Sequence, residues 1–138
     1  MIVTTASRQN KTKIADTLQY RFDPNTGGVH LYLVPEGKLE KTLYIEPERL
    51  LGFVVKIIAA ALAHVEGKTV VREGDALNRL VIWHNSLETF NVILMDVNNE
   101  VLVEVTLSRL AVMYFGMRLL QDMYNRNYLG NINVSVEL

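Results

Sequence analysis

Turn-forming clusters cut the stretch between Ala15 and Pro47 into pieces too short for helices. "DPNTGG" (23–28) brings Asp, Pro, Asn and paired Gly together, and "PEGK" (35–38) does the same a few residues later. The pieces between them alternate as half-buried strands do. "ADTLQYRF" places Leu18, Tyr20 and Phe22 on one face, with Gln19 and Arg21 on the other. "VHLYLV" places Val29, Leu31 and Leu33 on one face, with His30 and Tyr32 on the other, and "LEKTLYI" makes the next strand.

The pattern then changes period. Pro47 suits a first helical position, where its missing N–H would have no partner, and the helix is expected to reach about His64 and stop near Gly67. Its apolar run, Leu50 to Val65, contains Lys56 and His64 and falls short of the roughly 20 residues that span a bilayer, so a buried helix and no membrane are expected. The second half repeats the order. "KTVVRE", "RLVIWHN", "ETFNVILMD" and "VLVEVTL" read as strands, a helix opens at the N-cap Ser108 and runs to about Tyr124, and "INVSVE" reads as a last strand.

A shift of sixty positions aligns the two halves, setting "LYIEPERL" against "VEVTLSRL". Asn25, Glu40, Arg49 and Leu50 then meet Asn85, Glu100, Arg109 and Leu110. The reading is one α+β domain over 1–138 with two sheets and two long helices, built from a repeated module at 16–64 and 76–124.

The first helix is apolar almost all round, which predicts cover from a second copy of the chain, as a dimer or tetramer. In the second helix, Leu110, Met113, Tyr114, Met117, Leu120 and Tyr124 are expected to face the sheet. Val112, Phe115, Leu119 and Met123 form a second stripe. The interface is placed on Leu51, Phe53, Val54 and Ile58 of the first helix and Phe115 and Leu119 of the second.

Composition narrows the chemistry. Hydrophobic residues make up 49% and charged ones 21%, an ordinary folded balance, and a net charge of −1 gives no global pull toward polyanions. The absence of Cys excludes disulfides, thiolate metal sites and a Cys nucleophile. The start "MIVTTASRQNK" does not read as a secretory signal, so a cytoplasmic protein is expected. His30, His64 and His84 lack metal-ligand spacing, and no nucleophile elbow or glycine-rich phosphate cradle occurs. Glu46 and Glu48 suit a helix start, and Glu73 and Asp75 fit a solvated turn. No metal, no cofactor and no enzymatic activity are expected. An enzyme using His84 or a turn carboxylate is the third reading.

Basic and aromatic residues on strands point elsewhere. One face of the first module offers Arg21, His30, Tyr32, Thr42 and Tyr44; Arg79 and Trp83 share a face in the second. Arg8, Lys11, Lys13 and Arg21 add a local excess of base near the N-terminus. Cations for phosphates and rings for unstacked bases suit single-stranded DNA or RNA. The expected contacts are Lys11, Lys13, Arg21, Lys38, Lys41, Arg72 and Arg79 for phosphates, with Tyr32, Tyr44 and Trp83 for stacking. The alternative is a structural or assembly protein making only protein–protein contacts.

The order of elements from about Asp16 to Tyr124, antiparallel strands then a helix, twice, resembles the Whirly-type and kinetoplastid mitochondrial RNA-binding proteins. The resemblance implies tetramers joined through helices, with single strands held along exposed sheets and little sequence preference. The Lys-Gly-Lys-Ala-Ala-Leu stretch of the plant Whirly proteins has no close counterpart here; "GKTVV" (67–71) and "GKLEK" (37–41) echo it loosely, and no site residue is carried over.

Overall fold

Asp23 builds the tight turn of a hairpin. Its Oδ1 accepts from the N–H groups of Asn25 (2.8 Å) and Thr26 (3.2 Å), its carbonyl accepts from Gly27 N (2.9 Å), and Gly27 takes a φ of +81°. This turn joins β2 (Leu18–Phe22) to β3 (Val29–Leu33), with Leu18 opposite Leu33 and Phe22 opposite Val29. At Gly28 a Cβ would lie 2.6 Å from the Ile45 carbonyl oxygen, so only glycine lets the neighbouring strand approach.

The computed structural model describes residues 11–63, 69–74, 78–86 and 88–128. Two further strands, β1 (Thr12–Ala15) and β4 (Lys41–Ile45), complete an antiparallel sheet in the order β1-β2-β3-β4, followed by α1 (Pro47–Leu62). The second sheet, β5 (Thr69–Gly74), β6 (Asn78–His84), β7 (Thr89–Asp96) and β8 (Val101–Ser108), has the order β5-β6-β7-β8 and leads into α2 (Arg109–Asn125). The class is α+β. Strands β6, β7 and β8 begin at 78, 89 and 101, each sixty positions after the starts of β2, β3 and β4 at 18, 29 and 41. The strand expected over 15–22 is β2, and β1 before it is a strand the sequence reading lacked: its four residues, with a bulge between Lys13 and Ala15, are too few to show alternation. His64, Gly67, Asp75, Arg8 and the strand expected over 132–137 lie outside the described residues.

The inner faces of both sheets share one core with the helices. Leu18 and Leu31 of the first sheet meet Leu80, Ile82, Val92 and Leu107 of the second around a small void closed by Val112 and Phe115 of α2. Tyr20 ties the first sheet to α2, its hydroxyl donating to the Asp122 carboxylate; burial, then this bond, pushes the phenol's pKa up. Ser108 caps α2, its hydroxyl accepting from Ala111 N (3.1 Å).

The expected faces of α2 are reversed. Val112, Phe115, Leu119 and Met123 are buried, whereas Leu110 is 75% exposed, Tyr124 63% and Met117 57%; Tyr114 is exposed too, and of the stripe expected inside only Met113 and Leu120 pack partly against the core. Gly116 explains the reversal. A Cβ there would lie 2.7 Å from Ile58 Cγ1 and 3.0 Å from Ile57 Cγ2, so the bare backbone of α2 packs directly on α1. The stripe that contains Gly116 must therefore be the inner one. The interface assignment changes with it: Phe53, Val54, Phe115 and Leu119 belong to the chain's own core, and Leu51 and Ile58 are partly buried against it. Nor does α1 need cover on every side, because its apolar residues divide between a buried side, Leu50, Phe53, Val54 and Ile57, and exposed Val55 and Leu62.

Both arginines that open the helices cross between modules, and they do so differently. Arg49 pairs with Glu73 of β5 at 2.5 Å; Glu73 is buried in a strand, not solvated in a turn. Arg109 donates to the carbonyls of Ala61 and Ala63 (3.0 Å to the latter), closing the C-terminal end of α1, and to His84 Nε2 at 3.3 Å. The leucines beside them part company, Leu50 entering the core and Leu110 facing outward.

The two helical glycines give opposite expectations. At Gly52 in α1 an added Cβ would meet nothing within 4 Å, so Gly52→Ala should raise stability by about 0.5–1 kcal/mol through helix propensity. Gly116→Val should lower it by about 1–3 kcal/mol, because the helix crossing must open. Thermal denaturation of both variants checks this; a Gly116→Val protein melting at the wild-type temperature would remove the close crossing from the account.

Candidate functional site

Strand alternation that buries Leu18, Tyr20, Leu31 and Leu43 turns the intervening residues outward on the first sheet. The register aligns them in two rows. Arg21, His30 and Tyr44 stand opposite one another across β2, β3 and β4; Lys13, Gln19, Tyr32 and Thr42 form the row beside them from β1 to β4.

Tyr32 organises this face. Lys11 places its ammonium 3.9 Å from the centre of the Tyr32 ring, and Arg21 Nε donates to the Tyr32 hydroxyl at 3.2 Å. The ring is therefore 8% exposed, covered by a cation, and it is not the open stacking face expected from sequence. Beside it, the rings of His30 and Tyr44 lie 5.0 Å apart at 46°. His30 Nε2 meets Asp23 Oδ2 at 2.9 Å, and the Tyr44 hydroxyl meets Thr26 Oγ1 at 2.6 Å, so the turn that makes the hairpin also orients both rings.

Carboxylates rim the face. Lys11 lies 3.3 Å from Glu40, and Lys13 lies 2.8 Å from Asp16, whose pKa is held below the ordinary value by its hydrogen bond to Lys13. The Asp23 carboxyl is also lowered, first by its bond to His30 and then by the Asn25 N–H. At the start of α1 the Glu46 carboxyl is pushed up, chiefly by a hydrogen bond with Glu48; Glu46 makes no side-chain cap.

Lys11, Lys13, Arg21, Tyr32 and Tyr44 thus come together, and the other expected residues do not join them. Lys38 sits in the turn between β3 and β4, lining a hollow with Pro35, Glu36 and residues of β8. Lys41 begins β4 opposite Leu33, on the strand's inward row but at its exposed end. Arg79 and Trp83 lie on the outer face of the second sheet, opposite Met95 and Asn91 in register. Arg79 donates to the Val97 carbonyl (3.4 Å), and Val81 and Ile93 make the middle of that face apolar. Arg72 pairs with Val81 in register; its side chain lies outside the described residues.

His84 is fully buried, its ring stacked on Phe90 at 4.4 Å and its Nε2 bonded to Arg109, while its Nδ1 has no hydrogen-bond partner among the described residues. Among the described residues no group of His, Asp and Glu is placed to hold a metal ion, and no helix is long and apolar enough to cross a membrane. Sequence reasoning missed Arg126, which follows α2 and lies 4.1 Å over the Phe22 ring. No family model, curated protein or solved structure matches this chain.

Proposed function

We propose that the protein binds single-stranded nucleic acid across the outer face of its first sheet. The observation that carries this reading is the Tyr32 cluster: one tyrosine holds two cations, Lys11 and Arg21, beside the His30–Tyr44 ring pair. A strand laid across the rows gives its phosphates to the cations and an unstacked base to Tyr44. Glu40 and Asp16 are exposed partners, and exposed ion pairs are weak enough for a phosphate to displace. The net charge of −1 then makes binding local and salt-sensitive. Duplex is disfavoured because paired bases cannot reach the rings. Discrimination among bases is low, since every base has a stackable face.

The resemblance to the Whirly-type proteins, drawn from the order of elements, belongs to the same reading. The outer face of α2 supports self-association. Met117, Leu120, Gln121 and Tyr124 line an open hollow of about 410 Å3, and Leu110 and Tyr114 continue the same exposed side. Copies joined there leave the sheet faces free, and a cytoplasmic location goes with the reading. That same apolar face also favours the second reading, an assembly protein whose contacts are all with protein.

Titration of labelled single-stranded and duplex oligonucleotides at low and moderate salt separates the two. The single strand should bind more tightly than duplex and weaken as salt rises. Tyr44→Ala should cost about 1–3 kcal/mol of binding. Negligible binding of both forms at low salt would favour the assembly reading. In light scattering, Met117→Glu should lower the assembled mass; a monomeric wild type at micromolar concentration would refute self-association.

A further inference from the structure

One groove on the molecule has two guanidinium groups and, among the described residues, no carboxylate bonded to either. Arg21, Phe22, Pro24 and Arg126 line a hollow of about 290 Å3 between the β2–β3 turn and the end of α2. Phe22 holds both arginines. Its ring carries the Arg126 guanidinium at 4.1 Å, and its carbonyl accepts from Arg21 Nη1 at 3.4 Å, while Arg21 Nε is fixed by the Tyr32 hydroxyl. The other cations near this end of the fold are paired: Arg118 lies 3.6 Å from Asp122, and His30 meets Asp23. Asp23 is the carboxylate next in sequence to the groove, and both its oxygens are engaged, one by Asn25 and Thr26 N–H and the other by His30.

Two like charges fixed along one groove repel each other until an anion enters. Guanidinium groups present planar forks of N–H donors, and a tetrahedral oxyanion can accept from both at once. We propose that the Arg21–Arg126 groove is a phosphate-binding site. Arg21 also belongs to the outer face of the first sheet, so a strand on that face reaches the groove directly. For a strand as ligand the inference rests on the function proposed above; for a phosphate group by itself it does not. The phosphate is either internal to a strand or a terminal monoester, and the same chemistry binds both.

Arg126 is the residue to change, because it lies off the strand rows and is exposed at the end of α2. The probes are inorganic pyrophosphate, followed by thermal shift, and dT8 with a 5′-hydroxyl or a 5′-phosphate, followed by fluorescence anisotropy. Pyrophosphate should raise the melting temperature of the wild type and leave Arg126→Gln unmoved, with Arg126→Lys between them; circular dichroism confirms that each variant is folded. With dT8, Arg126→Gln should weaken binding several-fold and reduce the salt slope by about one. A 5′-phosphate that tightens only the wild type makes the phosphate terminal; equal weakening of both oligonucleotides makes it internal. If the wild type binds dT8 but Arg126→Gln changes neither affinity nor salt slope, and pyrophosphate shifts no melting temperature, the groove is not a phosphate site and the strand reading stands. If the wild type binds neither dT8 form, the strand reading fails and the pyrophosphate shift alone decides the groove: a shift lost in Arg126→Gln supports it, and no shift overturns it.

Discussion

Each sheet depends on the other for a core. A four-stranded antiparallel sheet with one apolar face must bury that face on something, and here the inner leucines of the first sheet rest on those of the second, with Val112 and Phe115 of α2 between them. The helices can complete this arrangement only by touching backbone to side chain, at Gly116 against Ile57 and Ile58. The arginines then fasten the modules from both directions, Arg49 reaching forward to Glu73 and Arg109 reaching back to the end of α1. Arg109 is well suited to that place, since it meets two carbonyls that the helix itself leaves without partners and shares the same guanidinium with His84.

Packing inner face to inner face leaves two outer faces, and they are chemically unlike. The first is polar and aromatic, with its cations placed by Tyr32 and its rings by the Asp23 turn. The second has Val81 and Ile93 at its centre, with Arg79 turned to the Val97 carbonyl. Similar element order therefore does not give two equivalent surfaces. The first face gathers cations and rings; the second has an apolar centre in which Val81 is already buried, unlike the exposed outer side of α2.

Much of the fold was legible because strand alternation and helix starts are local. Leu18, Tyr20 and Phe22 fall inward as their spacing predicts, Pro47 opens α1, and Ser108 caps α2. The inner side of α2 was not legible. Its outer stripe is as apolar as its inner one, and only the partner helix at Gly116 decides between them. Strand β1 was lost because four bulged residues carry no periodic signal, and Glu73 was misplaced because its partner, Arg49, lies on a different element. Arg21, Tyr32 and Tyr44 followed from alternation within one sheet; Lys11 and Lys13 were legible only as a local excess of base, and the pairing of β1 with β2 brings them to the same face. Arg79 and Trp83 fall on the face of the second sheet away from Leu80 and Ile82, as alternation predicts, but that face is a different surface from the one built around Tyr32. Arg126 meets Phe22 across most of the chain, a contact that only tertiary folding creates.

The central claim is that the first sheet, rather than the second, carries the strand. The most direct measurement is photo-crosslinking of a single strand containing 5-iododeoxyuridine, with the adducts mapped by peptide mass spectrometry. The account predicts adducts on the β3 and β4 peptides, centred on Tyr44 and His30 and lost in excess unlabelled strand. Adducts confined to the β6 peptide that contains Trp83 would contradict it.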